Sequence, residues 1–180
     1  LPTLRTGANV GAGSSTPSSK ERIMAVKPIP AGYHSVTPYL ILDDATRALE
    51  FYKKALGAVE LMRMPAPGGR IGHAEIKIGD SPVMLADESP EMGHRSARKM
   101  GGSPISLMVY VEDVDARVAQ AVAAGAKITR PIANQFYGDR TGGIEDPFGY
   151  HWYIATHVED VPPDELERRA AKAMGGAKSD

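Results

Sequence analysis

VTPYLILDDATRALEFYKKALGAV, residues 36–59, and ISLMVYVEDVDARVAQAVAAGAK, residues 105–127, spell one pattern twice. In each, an apolar strand runs into an acidic pair (Asp43-Asp44, Glu112-Asp113), then a helix-period stretch, then glycine and alanine (Gly57-Ala58, Gly125-Ala126). The echo continues further on, where Arg70, Gly72, Glu75 and Gly79 recur 70 positions later as Arg140, Gly142, Glu145 and Gly149. A unit of this length present only twice does not build a solenoid, which needs three or more stacked repeats to close its core. Two such modules pair into one domain.

Each module reads as βαβββ. In the first, His34 to Leu42 alternates as a strand, with Pro38 marking an edge or strand entry. Asp43 or Asp44 caps a helix through Leu56 that Gly57 ends. Strands follow at Val59–Met64, Gly72–Ile78 and Val83–Ala86. The second module gives a strand at Ile105–Val111, a helix at Val114–Ala124 and a strand at Lys127–Arg130. A longer loop through Tyr137 leads to strands at Arg140–Glu145 and Tyr150–Thr156, joined by a DPFG turn. The expected organisation is a Gly/Ser/Pro-rich disordered tail over 1–27 and a domain over 28–160. Module one spans 33–88, a polar linker 89–103 and module two 104–157, before a Pro-initiated helix and tail over 161–180.

Composition narrows the function. A net charge of −1 lacks the clustered basic excess that binds nucleic acid. With no cysteine, disulfides, thiolate nucleophiles and thiolate metal sites are excluded. No run approaches the length of a membrane span, and the opening segment lacks a secretory apolar core, so the expectation is a soluble, cytoplasmic protein.

Paired βαβββ modules carrying TPYLILDD, ALEFYKKALGA, GHAEIKIGDSPVMLADE and EDPFGYHWYIATHVEDV resemble the vicinal oxygen chelate superfamily, which includes glyoxalase I, bleomycin-resistance proteins and extradiol dioxygenases. The strings are most similar to its PhnB-like branch, over about residues 30–162. The resemblance implies an α+β, glyoxalase-like fold, with the two modules forming a curved, cup-like mixed sheet, helices outside, and a homodimer. It also implies two metal ligands per module, at Thr37, Met84, Ser106 and Tyr153. A hydroxyl, a thioether, another hydroxyl and a phenol are a poor set for a divalent ion, so no metal or other cofactor is expected.

The remaining candidates are polar points on an apolar lining. His73 and Glu75 lie two apart on one strand face, suited to a general base held by a carboxylate, to two ligands of a relocated metal, or to a structural pair. His151 shares a face with Tyr153 and is the third candidate for such a relocated centre, or a packed histidine. By alternation Thr37, Tyr39, Ile41, Ser106, Met108 and Tyr110 face inward with Met84, His151 and Tyr153, as in a pocket for a small hydrophobic or aromatic molecule or in a filled core. The repeat-breaking loop adds Phe136, Tyr137 and Arg140. Arg70 and Arg140 suit an anionic ligand or salt bridges to Glu75 and Glu145. The alternatives to a metal-free binder are a metal-dependent lyase, isomerase or dioxygenase centred on His73, Glu75 and His151, and a non-catalytic scaffold.

Overall fold

The computed structural model describes residues 26–175, and the tail expected over 1–27 falls outside that range except for Val26 and Lys27. Module one consists of β1 (Tyr39–Leu42), α1 (Ala45–Leu56), β2 (Val59–Ala66), β3 (Arg70–Ile78) and β4 (Ser81–Asp87). Module two consists of β5 (Ser106–Tyr110), α2 (Val114–Ala123), β6 (Lys127–Asn134), β7 (Asp139–Glu145) and β8 (His151–His157). A last helix, α3, covers Pro163–Gly175. Each module forms one four-stranded mixed sheet, ordered β1-β4-β3-β2 and β5-β8-β7-β6. Its first strand lies parallel to its last, and the other pairs are antiparallel. The fold is the α+β arrangement expected.

The duplication is visible atom by atom. Asp44 and Asp113 cap the two helices by accepting from Arg47 N and Ala116 N at 2.9 and 3.0 Å, satisfying donors that no helical carbonyl can reach. Gly57, at φ 68°, closes α1 in the left-handed conformation that glycine adopts without Cβ strain. The first N–H of each helix finds a side chain from the last strand of its own module: Ala45 N donates to Asp87 and Val114 N to Thr156.

The strand ends depart from the sequence reading. β1 begins at Tyr39 rather than His34, so Thr37 precedes the strand and its hydroxyl reaches only the His34 carbonyl. Pro38, which has no N–H, still accepts from Met84 N and marks where pairing starts. β6 runs to Asn134, so most of the expected long loop is strand paired with β7, interrupted by irregularities near Arg130.

Alternation sends Leu40, Leu42, Ala74, Ile76, Val83 and Leu85 from the first sheet, and Ile144, Trp152 and Ile154 from the second, into one core shared with α1 and α2. At its centre sits a buried carboxylate. Asp146, 2% exposed, accepts from Tyr52 Oη at 2.8 Å, Trp152 Nε1 at 2.9 Å, and the backbone N–H groups of Phe148 and Tyr150 at 2.9 and 3.0 Å. Burial pushes its carboxyl above the ordinary range while these four donors pull the other way. Because Tyr52 belongs to α1, this cluster ties the modules together. Tyr150 makes a second tie: its hydroxyl donates to Ile41 O and accepts from Ile41 N, both at 3.0 Å. It thereby closes the outer edge of β1.

Candidate functional site

Among the described residues, the face of each sheet away from the core is left largely uncovered. On the first sheet, register places Tyr39 beside Met84, Met84 beside Glu75, Glu75 beside Met62 and His73 beside Met64. Tyr39 and Met64 are about half exposed. On the second, Ser106 pairs with His151 and His151 with Glu145; Met108 pairs with Tyr153 and Tyr153 with Gly143. Met108 and Tyr110 are exposed at 47% and 60%. Large apolar side chains thus stand exposed to solvent on both of these faces.

The polar points on the first face form a chain. Glu75 accepts from Tyr33 and, at 3.1 Å, from His73 Nε2; His73 Nδ1 lies 3.1 Å from Tyr39 Oη. A carboxylate only accepts, so Nε2 carries the proton, and in the neutral ring Nδ1 accepts from the Tyr39 hydroxyl. The Tyr33 hydroxyl and then His73 hold the Glu75 carboxyl below its usual range. Burial raises the Tyr39 phenol. Tyr33 was not among the sequence candidates, because it precedes the first strand. Met62 and Met64 were missed as well, although their alternation in VELMRMPA signals a shared face.

On the second face the bonding differs. Tyr110 Oη donates to Asp139 at 2.9 Å, and His157 Nδ1 lies 2.7 Å from the same carboxylate, with Asp160 3.0 Å from its other nitrogen. Those carboxylates, Asp139 first, raise the His157 pKa. His151 approaches Glu145 only to 3.8 Å.

Several sequence expectations are corrected. Arg70 and Arg140 do not pair with Glu75 and Glu145: Arg140 forms a bidentate contact with Asp115 of α2 at 2.6 and 2.7 Å, and Arg70 donates to the Glu88 carbonyl. Arg140 therefore points to the helix side of β7 and does not line the open face. Phe136 and Tyr137 stack edge to face at 5.3 Å in the β6–β7 turn. The echo between Glu75 and Glu145 is one of spelling only. Glu75 lies opposite Met84 and Gly143 lies opposite Tyr153, which makes Gly143 the counterpart of Glu75.

These residues do not fit the metal that the resemblance implies. Thr37 lies outside its strand, and Met84, Ser106 and Tyr153 offer a thioether, a hydroxyl and a phenol, a donor set that does not suit a divalent cation. Among the described residues no group of three or more His, Asp or Glu side chains could hold a metal. His73, Glu75 and His151 are thus not assembled into a relocated centre within one chain.

Comparison with known proteins fits this architecture. The model of the Glyoxalase/Bleomycin resistance protein/Dioxygenase superfamily matches residues 32–154. The chain belongs to this superfamily. An uncharacterized Mycobacterium bovis protein, Mb0911c, is 41% identical over 147 residues, covering 80% of this chain and 94% of that protein. The crystal structure of TioX from Micromonospora sp. ML1 is similar at 28% identity and a TM-score of 0.55, over 68% of this chain and 98% of TioX. A PhnB protein from Bacillus cereus shares the fold at 18% identity and a TM-score of 0.54, over 68% of this chain and 99% of that one. No helix among the described residues is long and apolar enough to cross a membrane.

Proposed function

We propose that this superfamily member is a metal-free, cytoplasmic small-molecule-binding protein of the PhnB-like branch, whose open sheet faces close around a hydrophobic or aromatic ligand in a homodimer. The observation that carries this reading is the pair of uncovered faces, rich in thioether and phenol groups around Met84 and Tyr153, where relatives hold cation ligands. Methionine and tyrosine are adaptable apolar surfaces with few fixed polar demands, the usual lining of such pockets. A second copy would cover apolar area that a single chain leaves in water.

The test is a thermal-shift screen of the purified protein against aromatic antibiotics and metabolites, with sedimentation to establish the assembly. A ligand at a hundred times its Kd stabilises by about 2.7 kcal/mol. Tyr153→Ala and Tyr39→Ala should each weaken that shift without lowering the unliganded Tm. A dimer with no ligand-dependent shift, or stoichiometric bound metal after purification, would refute the reading.

One observation favours a second reading. The Tyr39–His73–Glu75 chain has the order of a proton relay, with the imidazole placed to take the phenol proton. Turnover of a bound ligand that His73→Ala abolishes, with binding retained, would select proton-transfer catalysis over binding alone.

A further inference from the structure

The two modules correspond residue by residue, and at one place that correspondence leaves a hole. β1 and β5 match at a shift of 69 residues, since Tyr39 pairs with Met84 and Met108 with Tyr153. By the same shift Ile41 corresponds to Tyr110: each lies beside an alanine of the last strand, Ala86 or Ala155. Because Val111 N donates to Ala155 O, the odd-numbered residues of β5 bond β8, and the N–H and C=O of Tyr110 point to the free edge. The Ile41 groups point to the equivalent edge and are satisfied there by the Tyr150 hydroxyl.

The counterpart of Tyr150 is Ser81. Asp146 N donates to Tyr150 O in the β7–β8 turn, as Ile78 pairs with Ser81 in the β3–β4 turn. Where module two sends a phenol against the β1 edge, module one has a hydroxymethyl group. A cavity of about 380 Å³ opens there, lined by Ser81, Val83, Pro38, Met108, Tyr110 and Trp152. Tyr150 itself is 7% exposed, so its side of the duplication is filled.

We infer that this cavity, which adjoins the open second face through Met108 and Tyr110, is a second binding site that takes a small phenol whose hydroxyl bonds the Tyr110 N–H and C=O as Tyr150 bonds those of Ile41. The shape argument comes from the protein's own side chain: a ring seated on an apolar wall, with one hydroxyl both donating to and accepting from a strand edge. The volume lies within the roughly 300–1,000 Å³ usual for ligand pockets and leaves room beyond one ring. Asp80 and His34, also in its lining, offer polar contacts for substituents.

The inference stands apart from the proposed function, because its readouts are different residues. Isotope-labelled protein is titrated with p-cresol, the side chain of tyrosine as a free molecule, with toluene as the hydroxyl-free control. Saturable shifts of the Tyr110 and Ser81 amides at one molecule per chain are expected, with Ile41 unmoved. p-Cresol should bind about ten-fold tighter than toluene, as expected for a site whose polar groups demand a hydroxyl. Ser81→Tyr places the missing plug: it should raise Tm and abolish the response at Tyr110. Equal binding of toluene, shifts at Tyr39 and Tyr153 in place of Tyr110, no response at all, or undiminished p-cresol binding at Tyr110 in a folded S81Y protein would each overturn it. The wild-type comparison of p-cresol with toluene decides the matter even if the variant fails to fold.

Discussion

Module one and module two share a backbone plan but hold it with different chemistry. The residue before the last turn of module one is Ile78, buried and apolar; its counterpart in module two is Asp146, equally buried and charged. Facing it from the other module stands Tyr52, whose counterpart eight residues beyond the matching cap is Ala121. Hydrogen bonds between large groups therefore join Asp146 to Tyr52, while the equivalent positions Ile78 and Ala121 carry apolar side chains. The lesson is that a duplicated fold can keep its geometry and an open face on both halves while placing the polar anchor in only one of them.

The sharpest way to break this comparison is Asp146→Ala. It strands two side-chain donors and two backbone N–H groups in the core, and should cost about 3–5 kcal/mol in urea denaturation. Asp80→Ala, in the exposed turn of module one, should leave the denaturation midpoint almost unmoved. Similar losses for the two would show that the asymmetry is not energetic. Next come the helix braces: Asp87 accepts from both Ala45 N and Ile71 N at 2.7 Å, whereas Thr156 serves only Val114 N and returns its proton to Val111 O. Asp87→Ala should cost about 2 kcal/mol and Thr156→Ala about 1 kcal/mol, read from the same denaturation curves.

The smallest effect lies on the outer strands. Glu60 of β2 bridges Lys53 and Arg63, while its counterpart on β6 is Ile128, each paired with the matching isoleucine, Ile76 or Ile144. The Arg63 and then the Lys53 side chains hold the Glu60 pKa at about 2. A depressed carboxyl pKa contributes stability that is present above the unfolded value and is lost as pH falls through the folded one. Glu60→Gln should therefore cost about 0.5 kcal/mol at neutral pH after solvent screening. That difference should shrink below about pH 4.5 and vanish near pH 2. Asp146 works in the opposite sense: its raised pKa favours the fold below the unfolded value, and that contribution is lost as pH rises through the folded one.

Local chemistry explains what could be read from the chain beforehand. Asp44, Gly57 and Asp113 announce helix ends through caps that depend on neighbouring residues only, and the α1 and α2 boundaries followed. Strand ends did not, because the extension of β6 to Asn134 depends on pairing with β7 rather than on its own Pro-containing sequence. The apolar face of Tyr39, Met84, Met108 and Tyr153 was legible from alternation. The Glu75–Glu145 match was misleading, since the β7–β8 turn is longer than its β3–β4 counterpart and shifts the spelling against the register. The Asp-Pro-Phe-Gly string signalled a turn, but nothing local disclosed that its aspartate would meet Tyr52 from the other module. Nor could the exchange of Tyr150 for Ser81 be seen until register had aligned the halves.

The thioethers of Met62, Met64 and Met108 stand 38–50% exposed on the open faces. A thioether adapts to many shapes because it is soft and unbranched, and the same sulfur is readily converted by peroxide to a polar sulfoxide. An oxidant would therefore turn these exposed apolar patches hydrophilic until a reductase restored the thioethers.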